Sequence, residues 1–338
     1  VIGGATFLSV IIALSSKTKE EGSDVAIRAF HRGLRIRFIE IPASILSSSM
    51  TIGLGGSAGR EGPASHSGAG IGQTIIDLLG GTPEDRRIAT AVGMGSAIGV
   101  IFKTPFAGSL LAAELLYKRD LEPNVIYPSL ISSSIGYVIF SSITGFSPIF
   151  GTYSLPFNPE RLPLYVLLGL IAGGMAILYP YLMFETKKFL DLRFKNIIEK
   201  ALVGGIIAGL IAIFFPEVMG EGYGWLWYIS NFNAVPSMFP LIIALFLLPL
   251  AKIIATSFTI GSGAKGGVFA PGIVIGGYTG LAVGYAFHLL FPSLVTTPMP
   301  FMIVGMLSTF GIAGSVPISV TMMVVEMTGG LQLLPAEM

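Results

Sequence analysis

Cysteine is absent from the 338 residues. That excludes disulfides, thiolate metal sites and cysteine nucleophiles. Charge is scarce: Asp, Glu, Lys and Arg make up 12% of the chain, against roughly 25% in soluble domains. The formal net charge is +1, so no global field marks nucleic acid as a partner. The three histidines, His31, His66 and His288, lie far apart without metal-ligand spacing and read as ordinary polar or interfacial side chains. What remains is apolar, with 52% hydrophobic residues and a mean hydropathy of +0.79. The chain reads as an integral membrane protein. Its opening, VIGGATFLSVIIALSS, has neither a basic flank nor a convincing small-residue cleavage site. It reads as an incomplete first membrane helix rather than a signal peptide.

Apolar runs recur at 1–14, 38–54, 88–116, 124–145, 163–184, 201–215, 239–258, 267–291 and 298–327. Some exceed one clean span of about 20 residues, and others are interrupted by Gly and Pro. Such a mixture predicts transporter-type helices, some of which stop inside the membrane. Gly is 44 of the 338 residues, close to twice the usual share of about 7%. GLIAGG (169–174) and GGIIAG (204–209) read as close helix packing through small residues. Two stretches, 17–37 and 187–200, carry excess Lys and Arg and are placed on the cytoplasmic side. The first reads as a pair of short interfacial helices, the second as a linker.

The chain resembles itself. Residues 92–116 align without gaps on 304–328, an offset of 212 (Val92 to Val304). Val92, Gly93, Met94, Ser96, Gly99, Pro105 and Glu114 meet Val304, Gly305, Met306, Ser308, Gly311, Pro317 and Glu326. Before each copy lies a Gly-rich loop, GSAGREGPA (56–64) and GSGAKGGVFAP (261–271), and EEGS (20–23) has a counterpart in GEGY (220–223). An internal duplication is the most economical reading. Repeats of this kind in transporters often have inverted topology, with the site at their interface. Glu114 and Glu326, at matching positions, read as caps or anchors of neighbouring backbone, with Glu114 also a candidate for a proton route.

The loops carry the chemistry. Gly lets the chain turn tightly and aim its amides into a cavity. A helix that starts there offers unsatisfied N–H groups and about half a positive charge. Converging helix starts make an anion site without a Lys or Arg that would hold the ion too tightly to release it. Glu61 falls at such a start. Its carboxylate is itself an anion, able to compete for the site when charged and to leave it when protonated. Arg60 reads as structural, snorkelling or paired near the mouth. Gly55-Gly56-Ser57-Ala58-Gly59 also fits the G-x-S-x-G pattern of a serine nucleophile. No strand precedes it and His66 alone is weak support, so a membrane serine hydrolase using Ser57 is a remote alternative and the chain is read as a non-enzyme.

These motifs resemble the CLC family of chloride channels and chloride/proton exchangers. Gly59-Arg60-Glu61-Gly62-Pro63 matches GREGP, residues 261–271 match GSGxxGGxFAP, and PEVMGEGYG (216–224) and VVEMTG (324–329) agree in kind and order. The resemblance implies an all-α membrane protein of two repeated halves with broken helices, and a homodimer in the cell (plasma) membrane. It further implies a chloride pore in each subunit and no metal or organic cofactor. It implies Glu61 as the gate, with the backbone of Val268 and Phe269 at the anion, together with Gly22 and Ser23 and the Gly59, Arg60 and Gly62 stretch.

Three departures stand out. The family's GSGIP is replaced by Glu20-Glu21-Gly22-Ser23. One alignment puts Ser23 at the anion and another puts Glu21 there; Ser23 is preferred because an acidic side chain would repel the ion. In the Pro-x-x-Gly-x-x-x-x-x-Glu-Glu pattern of the exchangers, Leu115 follows Glu114 where the proton relay stands. That points to a channel or a weakly coupled carrier, with a chloride/proton antiporter as the alternative. Finally, the last tyrosine is Tyr285, short of the family's last helix with its pore-lining tyrosine: either that helix was cut away or the inner gate is built differently. The expected organisation is a first repeat over 1–186, N-terminally incomplete, a basic linker over 187–200, and a second repeat over 201–338.

Overall fold

Proline and glycine set where the helices stop. The computed structural model describes residues 1–15, 22–117, 120–154, 156–232 and 241–337. In chain order the helices are α1 (Ile2–Ser15), α2 (Ser23–Arg32), α3 (Glu40–Gly53), α4 (Glu61–Leu78), α5 (Pro83–Phe102), α6 (Pro105–Glu114), α7 (Pro123–Thr144), α8 (Leu162–Arg193), α9 (Ile197–Phe214), α10 (Tyr223–Phe232), α11 (Leu241–Gly261), α12 (Phe269–Leu290), α13 (Met299–Ala313), α14 (Pro317–Thr328) and α15 (Leu334–Glu337). Among the described residues there is no strand, only one isolated bridge between Gly59 and Gly267. Five helices, α7, α8, α9, α11 and α12, are long and apolar enough to cross a membrane. The chain is an all-α integral membrane protein with broken helices.

The two longest apolar runs break at equivalent places. Lys103 and Ser315, 212 residues apart, both have φ of 55° and are the two non-glycine residues with positive φ among those described. A proline follows two residues later in each case, opening α6 and α14. Proline has no N–H to continue the helix and pushes its predecessor out of the helical region. Thr104 (φ −128°, ψ 67°) and Val316 (φ −133°, ψ 58°) comply.

The broken ends are then cross-capped. Glu114, at the end of α6, accepts the amides of Ile318 (3.1 Å) and Ser319 (2.7 Å) at the start of α14, and the Ser319 hydroxyl. Glu326, near the end of α14, accepts the amides of Phe106 (3.2 Å) and Ala107 (2.8 Å) at the start of α6. Each helix end meets the other's beginning, so these two repeat-equivalent helices run antiparallel. Both oxygens of Glu114 are engaged as anchors. Removing such a cap strands helix amides inside the membrane. Glu114→Ala is therefore expected to cost on the order of 3 kcal/mol, read as a lower unfolding midpoint in detergent. An unchanged midpoint would remove the capping account.

The helix crossings repeat as well. A side chain at Gly68 or Gly93 would overlap the backbone of α5 or α4, and one at Gly276 or Gly305 would do the same between α12 and α13. One apolar core runs through both halves, drawing Phe30 from α2, Met94 from α5, Leu111 from α6, Leu226 from α10, Ile273 from α12 and Met306 from α13.

Two expectations change and a third gains detail. GGIIAG behaves as read, with Gly204 and Gly205 pressed against α11 and α1, but Gly169 and Gly174 of GLIAGG meet nothing within 4 Å. They lie on the open flank of α8 beside exposed Leu170 and Ile177, where lipid replaces a neighbouring helix. The basic stretch 187–200, expected as a linker, is the last two turns of α8, a short bend, and the first turn of α9. Lys200 pairs there with Asp191 across the bend, and the basic Arg193 suits the negative end of α8. Within 17–37 the described part holds one short helix, α2, followed by irregular chain.

Candidate anion site

Three helix starts meet at one point. Gly22 caps α2 with φ of 83°, a backbone state that glycine adopts without strain. A Cβ on Gly22 would stand 3.6 Å from Gly62 Cα, and one on Gly62 would stand 3.1 Å from Gly267 Cα. Gly59 and Gly267 exchange two backbone hydrogen bonds, at 2.8 and 2.6 Å. That small antiparallel clasp joins the two Gly-rich loops. It sets the starts of α4 and α12 side by side, with their amide ends facing inward. Ser23, half-buried, opens α2 next to them, while Glu20 and Glu21 lie outside the described residues.

Glu61 occupies the junction. Its side chain is 1% exposed. Oε1 accepts the amides of Phe269 (2.5 Å) and Ala270 (3.2 Å), the first two residues of α12. Oε2 finds no hydrogen-bond donor among the described residues. The carboxylate from one repeat thus satisfies two of the orphan donors of the helix that opens the other. The amides that hold the carboxylate are those of Phe269 and Ala270, whereas the Val268–Phe269 pair was expected at a bound anion. Val268 is the N-cap of α12, and its carbonyl is the group in use, accepting the Tyr179 hydroxyl at 2.9 Å.

The other charged groups stand around this point rather than in it. Arg60 Nε lies 3.2 Å from Glu221 Oε1, and its Nη2 donates to the Ile101 carbonyl at 3.2 Å. With 43% of the side chain exposed, Arg60 faces the mouth and does not reach the Phe269 and Ala270 amides. Lys252, fully buried in α11, donates to the carbonyls of Val218 and Gly220 at 2.8 Å each. It is within electrostatic reach of Glu221 and Glu61. Its ammonium is spent on backbone, so it adds positive potential without closing on an anion. Ser57 pairs with Thr256 Oγ1 at 2.8 Å, and its amide donates to Thr259 Oγ1 at 3.2 Å. The would-be nucleophile pins its loop to α11 and has no histidine as its partner.

Ala270, Tyr179, Glu221 and Lys252 were not read from sequence as parts of this site. Only Lys252 carried a usable signal, a lone ammonium in the run LLPLAKIIATSF (247–258), where an intramembrane charge marks function by default.

A sequence profile of the voltage-gated chloride channel family matches residues 4–338. The chain belongs to that family. Among curated relatives, an uncharacterised protein of Methanocaldococcus jannaschii is 29% identical over 319 residues, covering 92% of this chain and 75% of the relative. An H(+)/Cl(-) exchange transporter, ClcA, of Klebsiella pneumoniae is 29% identical over 307 residues, covering 87% of this chain. The chain spans 62% of that transporter's length. Among solved structures, a slow cyanobacterial Cl-/H+ antiporter superposes with a TM-score of 0.86 at 25% identity, covering 99% of this chain and 79% of the other. A CLC-type fluoride/proton antiporter superposes at 0.79 with 20% identity, covering 99% and 89%, and supports the fold alone. The two Gly-rich loops that carry the CLC resemblance are the ones the clasp joins.

Proposed function

We propose that this chain exchanges chloride for protons across the membrane, with Glu61 moving between the anion site and a protonated, released state. The observation that carries the reading is the Glu61 carboxylate seated on the Phe269 and Ala270 amides. A charged carboxylate and a chloride ion compete for the same two donors. Protonation neutralises the acid, weakens its hold on the amides and frees them for chloride. One residue thereby links the two ions.

Leu115, taken alone, points to a channel. Relatives weigh the other way, because an H(+)/Cl(-) exchange transporter and a Cl-/H+ antiporter are among the proteins it is similar to. Chloride is the natural cargo by that likeness. Family membership also supports a homodimer with one pathway per subunit, and residence in the plasma membrane. The test is flux from proteoliposomes, recording chloride and external pH together under an outward chloride gradient. Protons driven uphill by chloride support exchange. Chloride movement without proton movement would return the reading to a channel.

A further inference from the structure

Five residues past Glu61 on α4 stands His66, which no part of the anion site uses. It is fully buried, and neither Nδ1 nor Nε2 has a hydrogen-bond partner among the described residues. The sequence reading of an ordinary polar or interfacial histidine does not fit that position. His31 and His288 by contrast each have a carbonyl partner, at 2.9 Å (Leu116) and 2.5 Å (Val295). An unpaired buried imidazole is costly, so its persistence asks for a use.

A carboxylate waits beside it. Glu40 Oε2, at the start of α3, lies 3.6 Å from His66 Nε2. The Glu40 side chain is 16% exposed and its other oxygen holds Arg37 Nε at 2.5 Å, where the Arg37 side chain is 50% exposed. Gln73, further along α4, fastens this entrance: it accepts the Ile36 amide at 2.9 Å and donates to the Leu34 carbonyl at 3.0 Å. Arg28, Arg32, Arg35 and Arg37 fall in the stretch of chain that leads into α3, an excess of basic residues that marks a cytoplasmic side. A line therefore runs from water at Arg37, through Glu40, to an imidazole buried on the helix that begins with Glu61. Among the described residues, the charged groups acting on the ring are Glu40 from α3 and Lys265 from the loop ahead of α12. The helices α2, α5 and α12 also pack on α4 and contribute none.

We infer that Glu40 and His66 form the inner proton relay to Glu61, serving from α3 and α4 the task for which α6 offers only Leu115. The inference rests on the exchange reading above. The steps balance as proton transfers alone. Protonated Glu40 gives its proton to one nitrogen of neutral His66, leaving a carboxylate and an imidazolium. The imidazolium then releases the proton on its other nitrogen toward Glu61 and returns to the neutral ring. The two ring nitrogens pass one proton through without the side chain turning over; the retained proton then sits on the nitrogen facing Glu40, so the ring rotates or exchanges tautomer before the next transfer. About 7.5 Å of helix axis separates residues 61 and 66. Ser65, one turn past Glu61, lies in that interval with a buried hydroxyl that has no partner of its own among the described residues.

The test uses the whole chain in proteoliposomes, comparing wild type with Glu40→Gln and His66→Gln, and with Glu40→Asp as the conservative rescue. The readout is protons moved per chloride, which a merely structural contribution to folding would not change. Both Gln variants are expected to lower that ratio about tenfold or more, and Glu40→Asp to recover most of it. Wild-type ratios in both Gln variants would overturn the relay and leave exchange standing. A wild-type protein that moves no protons would instead overturn exchange itself, and the relay with it.

Discussion

Glu61→Gln is expected to leave chloride flux running, to remove its dependence on pH and to abolish proton movement. Gln has the size of a protonated Glu and cannot take up or release a proton. In the wild type the carboxylate holds the amides of Phe269 and Ala270 through charge-assisted bonds, roughly twice the strength of neutral ones. Lowering pH neutralises it, so wild-type flux rises as pH falls. The amide of Gln is a weaker competitor at every pH, by an amount on the order of 1 kcal/mol or more. Chloride efflux from vesicles, recorded between acid and alkaline pH, distinguishes the cases. Steep pH dependence retained in the variant would count against Glu61 as the gate.

Gly267→Ala is expected to damage the site and the fold together. A Cβ there would overlap the Glu61 carboxylate and lie 2.7 Å from the Gly62 amide nitrogen. Glu61 can swing aside, but the backbone of α4 cannot, because Gly59 and Gly267 are already bonded to each other on both sides. The clasp must open, and with it the alignment of the two helix starts. The expected cost is about 3 kcal/mol or more, with loss of flux and of monodisperse protein in detergent. Gly174→Ala, where nothing lies within 4 Å, is the control. It is expected to be neutral or to gain up to about 1 kcal/mol of helix propensity. Equal behaviour of the two variants would refute the clasp.

Much of this architecture was legible before any coordinates, and the reasons are physical. The self-alignment of 92–116 on 304–328 paired Pro105 with Pro317, the two prolines that open helices after the matching breaks at Lys103 and Ser315. Matching glutamates at 114 and 326 became reciprocal caps, since helix starts within a membrane need an acceptor from somewhere. Glu61 among glycines announced a carboxylate close to backbone amides. Less was legible where the outcome depends on which way a helix faces. GLIAGG and GGIIAG are alike as strings, yet Gly204 and Gly205 of the second press on other helices while Gly169 and Gly174 of the first meet nothing within 4 Å. The helical form of the basic stretch 187–200 was not legible, because sequence does not reveal how far a helix extends past the membrane. Tyr179 and Lys252 belong to the site through contacts with residues 89 and 34 positions away, and no local pattern encodes such distances. His66 was read as ordinary because burial without a partner shows only in three dimensions.

The central claim is that the Glu61 carboxylate and a mobile anion occupy the same amides in turn. Its most direct test is a bromide-soaked structure of Glu61→Gln beside one of the wild type, using bromide's anomalous signal to place the ion. A bromide within hydrogen-bond distance of the Phe269 and Ala270 amides in the variant, with the carboxylate there in the wild type, is the predicted result. Those amides without bromide in the variant, or bromide bound elsewhere while Glu61 keeps its place, would contradict the account.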